Sequence, residues 1–429
     1  LFPEHFGTYA IVTLFLELFA KFNNTGVDKY IIQYKGSEGR FIQSVFTFAV
    51  TNSLIVFILL QILARPLLSL TGFLDAEIYL RVLSFILLGS PIRSISIAYV
   101  EKDLDYKLGS ITSIVAAAVQ ILVGVSLAYM GYGVWALVLG NLLSVIVEII
   151  TILIITRNVK YMAISFDSKI FKDILNYTYP LLISTILVYL YWNIDDYMVG
   201  KILGEVQLGF YYFAFKMPHS FQDISTILSR VTMPLLSKLD DMKKKLVLYD
   251  VVVKTTAYIM FLVLLNTVVF GREIIVYIFS EKWLPALFSF QVLMAVVVLR
   301  NITTYWGILH QSQGITKYFL IPTPFNLLGI SIIGYFLVSS YGINGMSLAV
   351  LITMYLSIIV FVPKYTRIVL PSFSYTKTLA KPLISLSLIG VLAFIIKGTF
   401  PINSLIHLIT HLTLVSVVYI GFIYFFLQI

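Results

Sequence analysis

The sequence contains no cysteine and few charged residues. Among its 429 residues there is no Cys, and Asp, Glu, Lys and Arg together make up 12% of the chain. The first absence excludes disulfides, thiolate metal sites and cysteine nucleophiles. The second excludes an ordinary soluble domain, in which about a quarter of the residues are charged. Hydrophobic residues make up 59% instead, and this excess predicts that most of the chain faces lipid.

Long apolar runs recur along the whole chain between short polar breaks. A run of about 18 or more apolar residues is long enough to cross the hydrocarbon core as an α-helix. We therefore predict an all-α polytopic membrane protein with thirteen spans. The predicted spans are 6–20, 41–63, 82–99, 108–130, 134–156, 174–197, 209–236, 251–270, 286–311, 319–340, 343–362, 382–396 and 405–429.

Lys and Arg are distributed unevenly between the predicted loops. Nineteen of the 30 lie in loops that follow odd-numbered spans. The opposite loops hold six: Arg65, Arg81, Lys201, Arg272, Lys282 and Lys397. By the positive-inside rule the richer side is cytoplasmic, which places Leu1 outside the cell and predicts a further helix before it. The net charge of +9 then reflects topology and contact with anionic membrane lipids, and no nucleic-acid partner is expected.

Two pairs of short segments suggest an internal repeat. Phe6-Gly-Thr-Tyr9 resembles Leu208-Gly-Phe-Tyr211 at an offset of 202, and Tyr132-Gly-Val-Trp-Ala-Leu resembles Tyr341-Gly-Ile-Asn-Gly-Met at an offset of 209. Both pairs stand at the start of a span, and each offset encloses six spans. The pattern predicts two parallel six-helix lobes facing a central cleft. The alternative is that Gly and Tyr are simply common at membrane interfaces.

Ten Asp, Glu, Lys and Arg residues fall inside the predicted spans. Such residues are costly in lipid, so they usually face the bundle interior or a water-filled cavity. The cations are Arg93, Lys216, Arg230, Lys254 and Arg300, and the acidic residues are Glu17, Glu148, Asp195, Asp196 and Asp223.

Arg93 and Arg300 are 207 residues apart, which lies between the two repeat offsets, so we expect them to be counterparts in the two lobes. Two guanidinium groups facing one cleft suit a diphosphate, because Arg stays charged and its planar fork matches phosphate oxygens. The alternative is that each Arg caps a helix or pairs with a carboxylate.

Lys216, Asp223 and Arg230 repeat every seven residues and are therefore predicted to share one helix face. Lys216 and Arg230 are further candidates for substrate binding, and Asp223 is a candidate polar residue of the cavity. A self-neutralised stripe of salt bridges is the competing interpretation. Pro218, in the same span, is expected to kink the helix.

Asp195, Asp196 and Glu17 are candidates for ion coupling. One carboxylate of the Asp195-Asp196 pair is suited to binding a proton or Na⁺, although simple solvation explains the pair equally. Glu17 also stands four residues before Lys21, a spacing typical of an ion pair along one helix.

We expect no catalytic residue, no metal and no cofactor. No Walker A or dinucleotide-binding fingerprint occurs, so transport would draw on an ion gradient or on the gradient of the substrate. His407 and His411 have the spacing of a metal-binding pair, but no third ligand or HExxH pattern accompanies them.

Several local segments resemble those of one transporter family. They are Pro3-Glu-His-Phe-Gly-Thr-Tyr-Ala10, Tyr99-Val-Glu-Lys-Asp-Leu-Asp-Tyr106, Gly131-Tyr-Gly-Val-Trp-Ala-Leu-Val138, Tyr179-Pro180, Asp196-Tyr-Met-Val-Gly-Lys-Ile-Leu-Gly204, Leu208-Gly-Phe-Tyr211, Arg230-Val-Thr-Met-Pro234 and Glu281-Lys-Trp283. In order and spacing the chain is similar to the polysaccharide transporters, the O-antigen flippases of the multidrug/oligosaccharidyl-lipid/polysaccharide (MOP) exporter superfamily.

The resemblance implies a flippase that moves an isoprenoid-diphosphate-linked oligosaccharide to the outer leaflet of the cell membrane by alternating access. It implies an N-terminal lobe at 1–156 that lacks its first helix, a cytoplasmic linker at 157–173, a C-terminal lobe at 174–370 and two additional helices at 371–429. The expected partners are the lipid-linked glycan, membrane lipids and other polysaccharide-assembly proteins.

Two alternatives remain open at this point. A cation-coupled multidrug or metabolite exporter of the same superfamily would need a cavity of net negative charge, whereas five cations lie inside the spans. A membrane enzyme that uses the same lipid carriers would usually present a long external loop, and the predicted outer loops are all short.

Overall fold

A computed structural model of the chain describes residues 1–23, 27, 31, 38–102, 106–156, 162–315 and 321–427. Within these ranges every regular element is helical, which confirms the all-α prediction. The chain forms two compact units, Leu1–Gly209 and Phe210–Ile429. Residues 157–161 of the predicted linker and residues 103–105 of the predicted family segment lie outside the described ranges.

Unit 1, Leu1–Gly209, is a helical bundle in which α1 packs against α2 and α7, and α5 forms a hairpin with α6. Its helices are α1 (Pro3–Asn23), α2 (Glu38–Ser69), α3 (Glu77–Leu83), α4 (Ile86–Lys102), α5 (Tyr106–Tyr129), α6 (Val134–Thr156), α7 (Ser168–Leu203) and the start of α8 (Glu205–His219). The side chain of Asp167 caps α7 by accepting hydrogen bonds from the backbone N–H groups of Lys169 and Ile170, which satisfies donors that a helix start leaves free.

Unit 2, Phe210–Ile429, is built around α10, which contacts α11, α14 and α15. Its helices after α8 are α9 (Asp223–Lys238), α10 (Met242–Ile274), α11 (Leu287–Thr303), α12 (Tyr305–Ser312), α13 (Pro322–Val369), α14 (Tyr375–Thr399) and α15 (Leu405–Leu427). A continuous core includes the fully buried Tyr249 and Tyr305, whose hydroxyl groups bond to Tyr375 and Thr256 respectively. These two buried phenols thus have polar partners inside the bundle.

Ten helices of the described chain are long and apolar enough to cross a membrane. Three features account for the difference from the thirteen predicted spans. The apolar run of α1 is interrupted by Glu17 and Lys21, and the predicted span 209–236 is divided between α8 and α9. The third is α13, which joins two predicted spans across a sharp bend at Gly342, where φ is 60° and ψ is −142°.

Large apolar side chains lie on the outside of the bundles, as expected for a protein whose solvent is lipid. On α5, for example, Ile114, Ile121 and Leu122 are 68%, 64% and 67% exposed. A soluble monomer rarely exposes contiguous apolar patches of this kind. The chain is therefore a multi-pass membrane protein.

Segments predicted to lie outside the cell come together at one end of unit 1. The start of α1, the turn at 71–76, the start of α6 and the end of α7 line one cavity there. At the other end, Ile42 of α2 packs with Val27, Ile31 and Met162, which belong to predicted inner loops. Successive spans thus alternate in direction as the charge distribution requires.

A close crossing joins α1 to the start of α8. A Cβ atom at Gly7 would overlap the backbone carbonyl oxygen of Glu205, and a Cβ atom at Gly209 would overlap the carbonyl oxygen of Pro3. The contact is reciprocal, because Pro3 and Glu205 each stand four residues before a crossing glycine. Only residues without a side chain allow helix backbones to approach so closely in a membrane.

The crossing glycines are equivalent residues of the predicted repeat at offset 202. The second predicted pair is also equivalent in backbone conformation, since Gly133 and Gly342, at offset 209, have φ values of 55° and 60°. Left-handed backbone conformations of this kind favour glycine. The two predicted pairs thus share a backbone crossing and a positive φ respectively.

The predicted lobes and the packed units divide the chain differently. The prediction separates the lobes at 157–173, whereas α7, which follows this linker, packs against α1 and α2 within unit 1. The division into lobes stays a prediction.

The crossing predicts opposite effects for two Gly→Ala substitutions. In Gly209→Ala, the new methyl group overlaps the Pro3 carbonyl, so we expect a loss of about 1–3 kcal/mol, as in other overpacked sites. In Gly109→Ala on α5, no atom lies within 4 Å of the new methyl group, so lower chain entropy is expected to stabilise the helix by about 0.5–1 kcal/mol. Thermal unfolding of the purified proteins in detergent measures both, and equal midpoints would contradict the crossing.

Candidate functional site

Arg300 lies in the last turn of α11 and is the most buried of the predicted substrate-binding residues. Only 9% of its surface is exposed. Its neighbour Asn301 accepts a hydrogen bond from the backbone N–H of Ser225 at 3.0 Å, and donates to the carbonyl oxygen of Val297 at 3.0 Å. These contacts hold the end of α11 against the start of α9, and a cation at a helix C-terminus is favoured by the helix dipole.

Arg300 belongs to a cluster of charged side chains in unit 2. The charges of Lys216, Asp223 and Arg300 all act electrostatically on the imidazole of His219. The cluster, comprising Lys216, His219, Asp223 and Arg300, is called here the unit 2 cationic cluster. The cluster combines two fixed cations and an imidazole with a single carboxylate, so its charge suits an anion with more than one negative charge.

The helix break between α8 and α9 positions this cluster. Pro218 lies one residue before the end of α8, and a 3₁₀ turn, Ser220–Gln222, leads into α9. The kink expected from the sequence is therefore present as a break. The single face predicted for Lys216, Asp223 and Arg230 stays a prediction, because three 3₁₀ residues change the rotation between Lys216 and Asp223 by only about 60° relative to a continuous α-helix.

All three residues of that predicted stripe are exposed. Lys216 is an exposed residue whose Nζ lies 5.1 Å from the centre of the Tyr212 ring. Arg230 is also exposed and lies two turns beyond Asp223 on α9. The charges of Lys216, Asp223 and Arg300 thus all reach His219, whereas Arg230 lies further along α9.

Arg93 in unit 1 pairs with a carboxylate. Its Nε atom lies 3.0 Å from Oε2 of Glu148, as an ion pair rather than a well-aligned hydrogen bond, and joins α4 to α6. The Glu148 side chain is 10% exposed and the Arg93 side chain 42%. The pairing considered for Arg93 in the sequence is therefore present, and the half-exposed guanidinium also remains accessible.

The other intramembrane cation, Lys254, has a partner on its own helix. Its Nζ lies 2.8 Å from Oδ2 of Asp250, one turn earlier on α10. Asp250 also accepts a hydrogen bond from the hydroxyl group of Thr378 on α14. Asp250 thus links α10 to α14 and neutralises Lys254, so Lys254 is not assigned to substrate binding.

Two of the three predicted ion-coupling carboxylates of unit 1 act on one tyrosine. Glu17 and Asp196 both influence the hydroxyl group of Tyr189, which donates a hydrogen bond to the Leu14 carbonyl. Asp195, adjacent on α7, is 3% exposed. The Lys21 ammonium lies 5.5 Å from the centre of the Tyr189 ring, so Tyr189 connects Glu17 and Lys21 of α1 with Asp196 of α7.

Glu17 also acts on Tyr9, whose hydroxyl group accepts a hydrogen bond of 2.8 Å from the side chain of Asn141. Sequence reasoning missed Tyr9, Asn141, Tyr189 and His219. All four are uncharged or weakly basic, so a search for charged residues inside the spans does not select them. For His219 the position three residues after Lys216 and directly after Pro218 was the one available sign.

Two of the segments that resemble a transporter family pack against each other in unit 2. Trp283 is 4% exposed, stacks on Phe213 with ring centres 4.5 Å apart, and meets Phe210 edge to face at 6.0 Å. Ser280, just before this segment, has a φ of 105°, a conformation that is uncommon outside glycine. These residues shape the chain and do not line the cationic cluster.

Comparison with known proteins gives a family match and a curated relative. Residues 1–287 match the family described as polysaccharide biosynthesis protein. An uncharacterized membrane protein in the cps region of Klebsiella pneumoniae is 24% identical over 317 residues, which are 71% of this chain and 64% of that protein. The chain thus spans less than two thirds of this relative.

Solved structures show the same fold. The lipid II flippase MurJ, in an inward closed conformation, superposes with a TM-score of 0.80 at 16% identity, over 99% of this chain and 93% of that one. An inward-facing multidrug resistance MATE family transporter of the MOP superfamily gives 0.72 at 16% identity, over 87% and 92%. The expected MOP transporter fold is confirmed by these matches.

The Arg93–Glu148 pair predicts an asymmetric response to mutation. In Arg93→Ala the nearly buried Glu148 carboxylate loses its counter-ion, so we expect a destabilisation of about 1–2 kcal/mol, less than for a fully buried pair because Arg93 is half exposed. Adding Glu148→Gln should restore much of the lost stability, because the uncompensated charge is then removed. Thermal unfolding of the two single variants and the double variant tests this, and strictly additive effects would show that the pair contributes nothing.

Proposed function

Because the chain belongs to the family of polysaccharide biosynthesis proteins, we propose that it is a flippase for a lipid-linked glycan. It translocates an isoprenoid-diphosphate-linked oligosaccharide from the cytoplasmic to the outer leaflet by alternating access, for biosynthesis of a cell-surface polysaccharide such as O-antigen. The glycan and membrane lipids are its proposed partners, together with other polysaccharide-assembly proteins.

The observation that carries this proposal is the unit 2 cationic cluster. A lipid diphosphate brings several negative charges and a bulky polar glycan through a bilayer, whose hydrocarbon solvates neither. Arg300 and Lys216 both act electrostatically on His219, and in this proposal they bind one polyanion together. Arg300 is largely shielded from water, and a charge-assisted hydrogen bond is stronger where the local dielectric constant is low.

Arg93 and Arg230 have secondary roles in this proposal. Arg93 is half exposed while paired with Glu148, so it can exchange a protein carboxylate for a phosphate oxygen during transport. Arg230, exposed on α9, offers a further contact along the same helix as Asp223. Neither residue is required for the cluster around Arg300 to form.

Ion coupling is assigned in this proposal to the carboxylates of unit 1. Asp195 is almost fully buried, and a carboxylate held away from water is suited to binding a proton or Na⁺. Asp196 and Glu17 flank Tyr189 nearby. Asp223, in contrast, lies among cations and is assigned to balancing the cluster of unit 2.

Substitution of Arg300 tests the substrate assignment. In Arg300→Ala we expect export to fall at least tenfold, because truncating one partner of a buried charge contact costs about 2–5 kcal/mol and about 1.4 kcal/mol is a factor of ten. Arg300→Lys keeps the charge but loses the planar fork, so an intermediate rate is expected. The measurement is the arrival of a lipid-linked oligosaccharide in the outer leaflet of reconstituted vesicles.

Lys243→Ala provides the matched control, since this cation is exposed in the first turn of α10. Its transport rate and its amount in the membrane should equal those of the wild type. Unchanged transport in the double variant Arg93→Ala with Arg300→Ala would sink the proposal. Transport of a cationic dye instead of the glycan would favour the multidrug exporter.

Replacement of Asp195 tests ion coupling separately. Asp195→Asn keeps the shape of the side chain and removes its charge, so we expect flipping to continue at a reduced rate that no longer responds to an imposed proton or Na⁺ gradient. Asp240→Asn, on an exposed carboxylate, should respond like the wild type. If the flipping rate of Asp195→Asn still responded to the imposed gradient, ion coupling would have to be assigned to another residue.

A further inference from the structure

A cavity of about 400 Å³ opens at the predicted outer end of unit 1. It lies within the range of roughly 300–1,000 Å³ typical of small-molecule sites. Four separate chain segments line it: the start of α1, the turn at 71–76 with α3, the start of α6, and the junction of α7 with α8. None of the substrate-binding residues discussed above belongs to it.

The lining of this outer cavity combines fixed polar groups with aromatic surfaces. Asp75 and Glu205 supply carboxylates, Lys201 supplies an ammonium group, and Phe73 and Tyr79 supply rings. Tyr79 is held in place by Trp135, whose ring lies edge to face at 4.9 Å. The lining therefore offers both hydrogen-bond acceptors and hydrogen-bond donors beside the apolar faces of aromatic rings.

Two contacts orient the polar groups. Thr8 is 6% exposed, and its hydroxyl group donates a hydrogen bond to Oε1 of Glu205. Lys201 lies 3.3 Å from the hydroxyl group of Tyr197. Glu205 is thus fixed by a buried partner at the same place where the glycine crossing fixes the backbone.

The charge of this lining argues against a phosphate ligand. Two carboxylates face one ammonium group, so an anion meets net repulsion. A sugar residue fits better, because each of its hydroxyl groups both donates and accepts hydrogen bonds and its C–H face packs on aromatic rings. The outer cavity is chemically complementary to the glycan, and the unit 2 cationic cluster to the diphosphate.

We propose that the outer cavity binds one sugar residue of the glycan after it has reached the outer side. Asp75 and Glu205 accept hydrogen bonds from its hydroxyl groups, and Tyr79 packs against its ring. This inference rests on the proposed function for the identity of the ligand. It places a second, phosphate-independent recognition site on the side where the product leaves.

The test uses a water-soluble oligosaccharide, released without its lipid and diphosphate by mild acid hydrolysis of the surface polysaccharide of the source organism. Saturation-transfer NMR with the purified full-length chain in nanodiscs measures its binding. We expect weak binding by the wild type, and a dissociation constant raised about tenfold or more in Asp75→Asn and in Tyr79→Leu. Arg300→Ala should bind the oligosaccharide as the wild type does.

Glu281→Gln, on an exposed carboxylate of unit 2, is the matched control and should leave binding unchanged. Asp75 is itself exposed, so Asp75→Asn is expected to keep the thermal midpoint of the wild type and reports on binding alone. Failure of the wild type to bind the oligosaccharide, or equal binding by wild type and Asp75→Asn, would overturn the inference.

Translocation assays separate this inference from the proposed function. A chain that binds the oligosaccharide through Asp75 but does not move the lipid-linked form would contradict the flippase and leave the sugar site in place. A chain that flips the lipid-linked form without sugar binding at Asp75 would overturn the sugar site alone. Inorganic diphosphate is the negative probe and should not compete.

Discussion

Hydrocarbon offers no hydrogen-bond partner, and this constraint governs the whole chain. Every backbone N–H and C=O group at membrane depth must be satisfied within the protein, so the spans are helical and irregular backbone appears only where packing supports it. The turn Ser220–Gln222 interrupts one predicted span, and the bend at Gly342 lies between two. The first of them also sets where Lys216 and Asp223 stand relative to Arg300, so the backbone requirement and the proposed site are physically connected.

Much of this fold could be read from the sequence, because the cost of a polar side chain in lipid makes the spans visible as apolar runs. The breaks were harder to predict. Pro218 predicted a kink. The 3₁₀ geometry that follows depends on packing against α11 through the Ser225–Asn301 contact, and no local sequence pattern predicts that contact. The division into packed units could not be predicted from the sequence either, because it depends on contacts between α7 and α1, which are more than 140 residues apart in the chain.

The candidate site was predictable in its charges and not in its partners. Arg93, Arg300 and Asp195 stood out because ionisable groups are rare in spans. Glu148 was visible as a charge, yet its pairing with Arg93 joins residues 55 apart in sequence, and spacing alone does not select it. Tyr189 and His219 connect the charged residues, but neutral aromatic side chains are too common in membrane helices to be noticed.

The reciprocal crossing of Gly7 and Gly209 has the form of an isologous contact, in which the same patch meets itself across a twofold axis. In a homodimer, one mutation in such a patch necessarily changes both halves of the contact. Here the two halves are separate positions of a single chain, so either half can vary alone. The side chain of Glu205 lines the outer cavity, whereas its counterpart Pro3 is not one of the lining residues. The two halves of one symmetric contact can thus differ in function, because Glu205 lines a cavity while Pro3 does not.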